Sequence, residues 1–299
     1  MEKFHKIKNR GFNLNKYINR GFVVQEKLDG SNGSFTCNDG KLEVFSRRTK
    51  LDPENNLNGF YQYVHNFYED LLNIEREEFK ILLDNHILFG EWLVPHKVCY
   101  AEYYLKDFYL FDIYEKDTKR YISYDGVKDI AEKFGFRTPE VFLYAPPEDV
   151  PTLNEEDIVK LAGKSNMSSP KDTGEGIVIK YLDGKEEHEN YYKIVTDKFR
   201  ELMNQKTTNK VNKNTSSVAD YAITKARFEK IIFRAMDEGR LTEDDLVFEQ
   251  FGKIMKECIN DFVDDIIDEE LDQMVELIKK QIKKKSPHVL RTILEEKNN

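Results

Sequence analysis

Residues 205–217, QKTTNKVNKNTSS, contain a single large apolar residue, Val211, so this stretch cannot bury a strand or a helix face in a core. Before it, from residue 21 to about 195, short β-prone runs alternate with turn signals and polar or helical inserts. After it, apolar residues recur every three or four positions, the spacing of helices that hide one face. A chain divided in this way folds as two domains, and 299 residues suffice for each to bury its own core. The expected organisation is an α+β domain of antiparallel sheets with flanking helices over 1–205, a linker over 206–216, and a small all-helical domain over 217–299.

Within the first half, FVVQEK (22–27), GSFTCN (33–38), KLEVFS (41–46), HILFGEWLV (86–94), FYLFDIY (108–114), GIVIKYL (176–182) and NYYKIV (190–195) read as strands. Asp39-Gly40 is a tight hairpin turn. One helix is expected over 57–79, with Phe60, Val64, Phe67, Leu71 and Ile74 on its apolar side, and shorter ones near 125–134 and 152–162. In the second half, Ser217-x-x-Asp220 and Thr242-x-x-Asp245 look like helix starts. A third helix over 269–284 should end at Ser286-Pro287, with a short fourth from His288.

The net charge of -9 argues against a protein that coats nucleic acid over its whole surface, yet the charge is segregated. Residues 197–234 hold nine Lys or Arg against four Asp or Glu, whereas 237–276 hold fifteen acidic residues and three basic. A local basic groove is therefore compatible with the overall balance. No apolar run reaches the roughly 18 residues that cross a bilayer, and no signal-peptide stretch opens the chain. A cytoplasmic monomer without membrane attachment is expected. Cys37, Cys99 and Cys258 are far apart and outside any CxxC pair, so they read as reduced structural thiols. The six histidines have no zinc-ligand spacing.

The sharpest motif is EKLDGSNG at 26–33, a lysine at a strand end followed by Asp, Gly, Ser and Asn. Asp-Gly and Asn-Gly are common turn formers, so the pattern needs companions. They follow in order: SRRTK (46–50), FGEW (89–92), LFDIY (110–114), GEGIVIK (174–180) and YYKIVTDKF (191–199). A lysine amine can attack the α-phosphorus of ATP and hold AMP through a reactive P–N bond, provided that it first loses its proton. Burial and neighbouring positive charge are expected to lower its pKa.

This series resembles the covalent nucleotidyltransferase superfamily of ligases and capping enzymes. Asn32, where DNA ligases and capping enzymes usually have Arg, is similar to the phage RNA ligase 2 and kinetoplastid RNA-editing ligase type. The helical segment after the linker resembles the same group, which lacks the OB-fold of the others. The resemblance implies that Lys27 becomes AMP-linked, that Glu26 helps read adenine, and that Asn32 acts near the phosphates. It implies that Arg47 binds nucleotide, that Glu91 holds a ribose hydroxyl, and that Phe111, with Asp112 beside it, and Val178 sandwich the adenine. Glu175 is implied near Lys27 and a metal ion. Lys193 matches the first lysine of a terminal K-x-K motif whose second position is Val195; Lys180, meeting Lys193 across the hairpin, or Lys198 would stand in for it. The implied activity is ATP-dependent joining of RNA 3'-hydroxyl and 5'-phosphate ends with magnesium, manganese being an alternative ion. The substrate expected is nicked duplex RNA, bound by the helical domain and the basic 198–234 stretch, with KKQIKKK (279–285) as a second candidate. The other readings are a DNA ligase, a capping-type enzyme, or an inactive nucleic-acid-binding homologue.

Overall fold

The computed structural model describes residues 4, 7, 12–47, 49–184, 191–196, 223 and 225–297. The expected linker at 206–216, the helix start at Ser217, the charged insert at 185–190 and Lys198 lie outside them. The chain forms two compact units, Met1–Leu202 with Met236–Thr242, and Met203–Ala235 with Glu243–Asn299.

The first unit holds two antiparallel sheets. One has the order β7 (Val141–Ala145), β1 (Phe22–Lys27), β8 (Gly176–Tyr181), β9 (Tyr191–Val195). The other has the order β3 (Lys41–Ser46), β2 (Ser31–Asn38), β4 (His86–Leu93), β5 (Asp107–Glu115), β6 (Arg120–Tyr121). Asp39 and Gly40 adopt φ values of 50° and 71°, closing the β2–β3 hairpin where the sequence places it. β1 belongs to one sheet and β2 to the other, so the chain passes between sheets immediately after Lys27.

Strand alternation sorts the side chains. Phe22, Val24, Ile177 and Ile179 turn to one face of the first sheet and form a core with Tyr17, Ile158 and Ala162. Phe35, Leu88, Phe108 and Leu110 of the second sheet pack under α1 (Phe60–Asp70), α2 (Asn73–Asn85) and α3 (Tyr124–Phe134) through Phe60, Phe79, Leu83 and Ala131. The single helix expected over 57–79 is thus two. Leu57, Asn58 and Gly59 have positive φ, which delays its start to Phe60. Leu71 and Leu72 are extended, and the Arg76 guanidinium donates to the carbonyls of Tyr68 and Leu71 at 3.2 and 3.1 Å, capping the broken end. Ile74, expected on the apolar stripe, is 78% exposed as a result. The helix expected over 152–162 is likewise broken into α4 (Glu155–Val159) between two 3-10 turns.

In the second unit, the residues after Thr242 form two 3-10 turns rather than an α-helix, and α6 (Phe251–Lys297) begins only after them. It runs through Ser286-Pro287, where two helices were expected. Proline removes one backbone N–H, and the neighbouring Ser286 hydroxyl binds the Ile282 carbonyl at 2.6 Å. α5 (Lys225–Asp237) meets α6 through Phe228 against Phe262, with ring centroids 4.6 Å apart, and Ile231 and Cys258 on the two helices are buried. Among the described residues no strand follows Val195, so no OB-fold is formed by them. No helix among them is long and apolar enough to cross a membrane. None of the three cysteines is in a disulfide; Cys37 and Cys258 are buried but Cys99 is exposed.

Candidate active site

Lys27 is the last residue of β1, and the antiparallel register sets it opposite Gly176, the first residue of β8. That register delivers the preceding Glu175, whose Oε2 lies 2.7 Å from Lys27 Nζ. A Cβ on Gly176 would lie 2.0 Å from the Ile194 carbonyl oxygen, so only glycine lets β9 close this tightly beside the pair.

The loop after Lys27 is fixed on both sides. A Cβ on Gly30 would meet the Trp92 carbonyl at 2.6 Å, and the Gly30 N–H donates to Glu91 Oε1 at 3.1 Å. Asn32 stands opposite Glu91 in the β2–β4 ladder. Asp29 Oδ2 accepts from the backbone N–H groups of Lys97 and Val98, both at 2.8 Å, and its own N–H donates to the Tyr100 hydroxyl at 2.8 Å. Ser31 donates to Asp237 Oδ2 at 3.2 Å, and Asn58 donates to Asp237 Oδ1 at 2.7 Å. Neither the Tyr100 anchor nor the Asp237 clasp has a signal in sequence spacing, because each joins distant parts of the chain.

The charge around Lys27 differs from expectation. Burial pulls its pKa down, but Glu175, Glu91 and Asp29 outweigh burial and hold the amine above its ordinary value. The neighbours that shift it are carboxylates, where a divalent metal and basic residues were expected to supply positive charge. Burial likewise pushes Glu91 up to about 8, with Lys27 opposing. Three carboxylates and an amine in one half-buried site invite a cation that would compensate the acids and release the lysine proton.

Glu26, adjacent in sequence, turns to the opposite face of the sheet. It is 1% exposed, neither carboxylate oxygen has a hydrogen-bond partner, and burial pushes it up to about 7, with nearby Ser165 opposing. Its side chain therefore does not share Lys27's face, whereas Gln25 does, together with Val178 opposite it on β8. Gln25 had not been singled out from the sequence.

Lys193 pairs with Val178 across the β8–β9 hairpin, and Lys180 with Tyr191. The expected meeting of Lys180 with Lys193 is thus replaced by a register two residues away. Lys180 is instead buried, donating to the Phe111 carbonyl and lying 3.7 Å from Asp112 Oδ2. Burial lowers its pKa, and burial raises that of Asp112 to about 6. The pair ties the two sheets together and leaves Lys180 poorly disposed as a phosphate clamp. The Phe111 ring packs edge-on against Phe4, centroids 4.9 Å apart. Arg47 follows β3, half-buried.

The site is thus a lysine amine at a strand end, met by one carboxylate and influenced by two more, at the junction of two antiparallel sheets. Residues 20–195 match the model of a family described as RNA ligase, more than half of the sequence, and the chain belongs to the RNA ligase family. Among solved structures it is similar to Naegleria gruberi RNA ligase with PPi, at 23% identity and TM-score 0.48, over 67% of this chain and 57% of that one. A mutant of that ligase with ATP and Mn gives 21% identity and TM-score 0.48, over 70% and 59% of the two chains. The chain thus spans less than two thirds of these solved ligases. Comparison with curated proteins gives no match.

Proposed function

We propose that this protein is an ATP-dependent RNA ligase that joins 3'-hydroxyl and 5'-phosphate ends through AMP carried on Lys27. The observation that carries this reading is the 2.7 Å approach of Lys27 Nζ to Glu175 at the crossing between the sheets. Deprotonated Lys27 attacks the α-phosphorus of ATP; a P–N bond forms, the bond to the β-phosphate oxygen breaks, and pyrophosphate leaves. A 5'-phosphate oxygen of RNA then attacks the same phosphorus and the lysine amine leaves, regaining a proton. Finally the 3'-hydroxyl oxygen attacks the activated 5'-phosphorus, AMP departs, and the hydroxyl proton passes to solvent.

Such displacements need positioning and charge compensation more than acid–base catalysis. Lys193 and Arg47 are assigned to the phosphates, Asn32 to the strand being activated, Glu91 to the ribose, and Phe111 and Val178 to the adenine faces, with Asp112 held by Lys180 behind them. Glu26 acts through its strand position rather than its carboxylate. Glu175 offers oxygen ligation suited to magnesium or manganese. Among the described residues no group of three or more His, Cys, Asp or Glu side chains could hold a metal, so an ion held by Glu175 would take its other ligands from phosphate oxygens and water. A bound divalent ion supplies positive charge against Glu175 and the triphosphate. The lack of any strand after Val195 among the described residues favours this reading over a DNA ligase or capping enzyme. The domain limits proposed remain 1–205, 206–216 and 217–299.

The test is incubation with α-labelled ATP and magnesium, then with nicked RNA duplex, nicked DNA duplex and single-stranded RNA. Covalent label on the wild-type chain, absent from Lys27→Ala, followed by sealing of the RNA nick, is the expected result. A chain that takes no label would be a nucleic-acid-binding homologue without ligase chemistry.

A further inference from the structure

α6 leaves one side uncovered. Val263, Ile267, Leu271, Val275, Ile278 and Ile282 are each between 37% and 58% exposed, while Cys258, Phe262 and Asp265 on another side are buried. Steps of three and four residues put the six on one face, a stripe about 28 Å long. Asp265 lies 3.1 Å from Lys230 and 3.5 Å from Arg227 of α5, so the buried side is already committed.

The charge along this helix changes sign within the stripe, between Glu276 and Lys279. Residues 257–276 include nine Asp or Glu and no Lys or Arg; residues 277–291 include six Lys or Arg and no Asp or Glu. The helix dipole favours this polarity only in the first and last turns, and these charges run through the centre. A two-fold axis near the midpoint of the stripe would lay acidic residues 257–268 of one helix along basic residues 277–288 of another, with apolar residues meeting between them. A parallel pair would set acid against acid and base against base. An RNA strand would engage the basic half, be repelled by the acidic half, and leave the apolar stripe in water.

We propose that α6 pairs antiparallel with α6 of a second copy of this chain, giving a symmetric homodimer in place of the monomer expected from sequence. The inference is independent of the ligase reading, since it uses no residue assigned to that chemistry.

The experiment is sedimentation equilibrium of the full chain over a range of concentrations. It includes the variant Lys279→Glu/Lys280→Glu/Lys283→Glu/Lys284→Glu and the stripe variant Ile267→Glu/Ile278→Glu, with circular dichroism to verify that each folds. The wild type should approach twice the 35.3 kDa chain mass with rising concentration, and both folded variants should stay at the single-chain mass. Zero-length carbodiimide coupling should join the peptide bearing Asp264 to the one bearing Lys283 between chains in the dimer. A wild type that remains monomeric at every concentration overturns the proposal. So does a dimer that survives the charge reversal, as a parallel pair would.

Discussion

Lys180 Nζ lies 3.7 Å from Asp112 Oδ2, and both side chains are 5% exposed, so a strand of one sheet is bound to a strand of the other by a buried ion pair. Tyr191 and the Phe111 carbonyl complete the polar shell. Removing one partner strands the other charge in a dry site. Lys180→Met alone should cost roughly 3–5 kcal/mol in urea unfolding, while Lys180→Met combined with Asp112→Leu should cost clearly less. Equal losses in the single and double variants would show the pair to be unimportant.

Lys27→Arg keeps a positive charge but cannot supply a neutral amine near pH 7. It should take no detectable label from α-labelled ATP, as for Lys27→Ala, while melting at the temperature of the wild type within a few degrees. Label on either variant would place the nucleophile elsewhere.

Glu26 gives a pH signature. Its carboxyl is held near 7 in the fold against an ordinary 4.5, so the fold prefers the protonated form. That preference stabilises the protein fully below pH 4.5 and is lost as pH rises through 7. Glu26→Gln removes the loss, and should make the protein more stable than wild type at pH 8 by at most about 3 kcal/mol, with little difference at pH 4.5. Urea unfolding at the two pH values reads the effect; a variant less stable at pH 8 would mean that the carboxylate is compensated in solution.

Gly176→Ala should push β9 outward, because the added methyl would lie 2.0 Å from the Ile194 carbonyl oxygen. A loss of about 1–3 kcal/mol or more is expected from overpacking against backbone. Covalent labelling should fall with it, since Lys193 rides on β9, and labelling per folded molecule separates the two effects. Unchanged stability would show that the strand can shift freely.

Seven of the nine β-strands among the described residues were legible because strand patterning and the Asp39-Gly40 turn are local properties, whereas the edge strands β6 and β7 were not expected from the sequence. The same holds for Lys27 at a strand end and for α3, with its Ser123 cap. The break at Leu71-Leu72 was not legible, because it depends on the Arg76 guanidinium capping a helix end. Nor was the continuity of α6 through Pro287: a proline lowers the odds of a helix without forbidding it where one missing N–H is tolerated.

At the site, the family resemblance carried by the motif series implied that Lys27, Glu91 and Glu175 are companions. The fold decided their electrostatics and orientation. Antiparallel register put Glu175 against the lysine, alternation sent Glu26 to the far face, and a two-residue difference in hairpin pairing joined Lys180 to Asp112 rather than to Lys193. Sequence alone determined which residue types recur and at what period, which follows from the chemistry of neighbours along the chain. Which charges lie within a few ångströms of one another was decided only in three dimensions, because Coulomb interactions act through space and ignore separation along the chain.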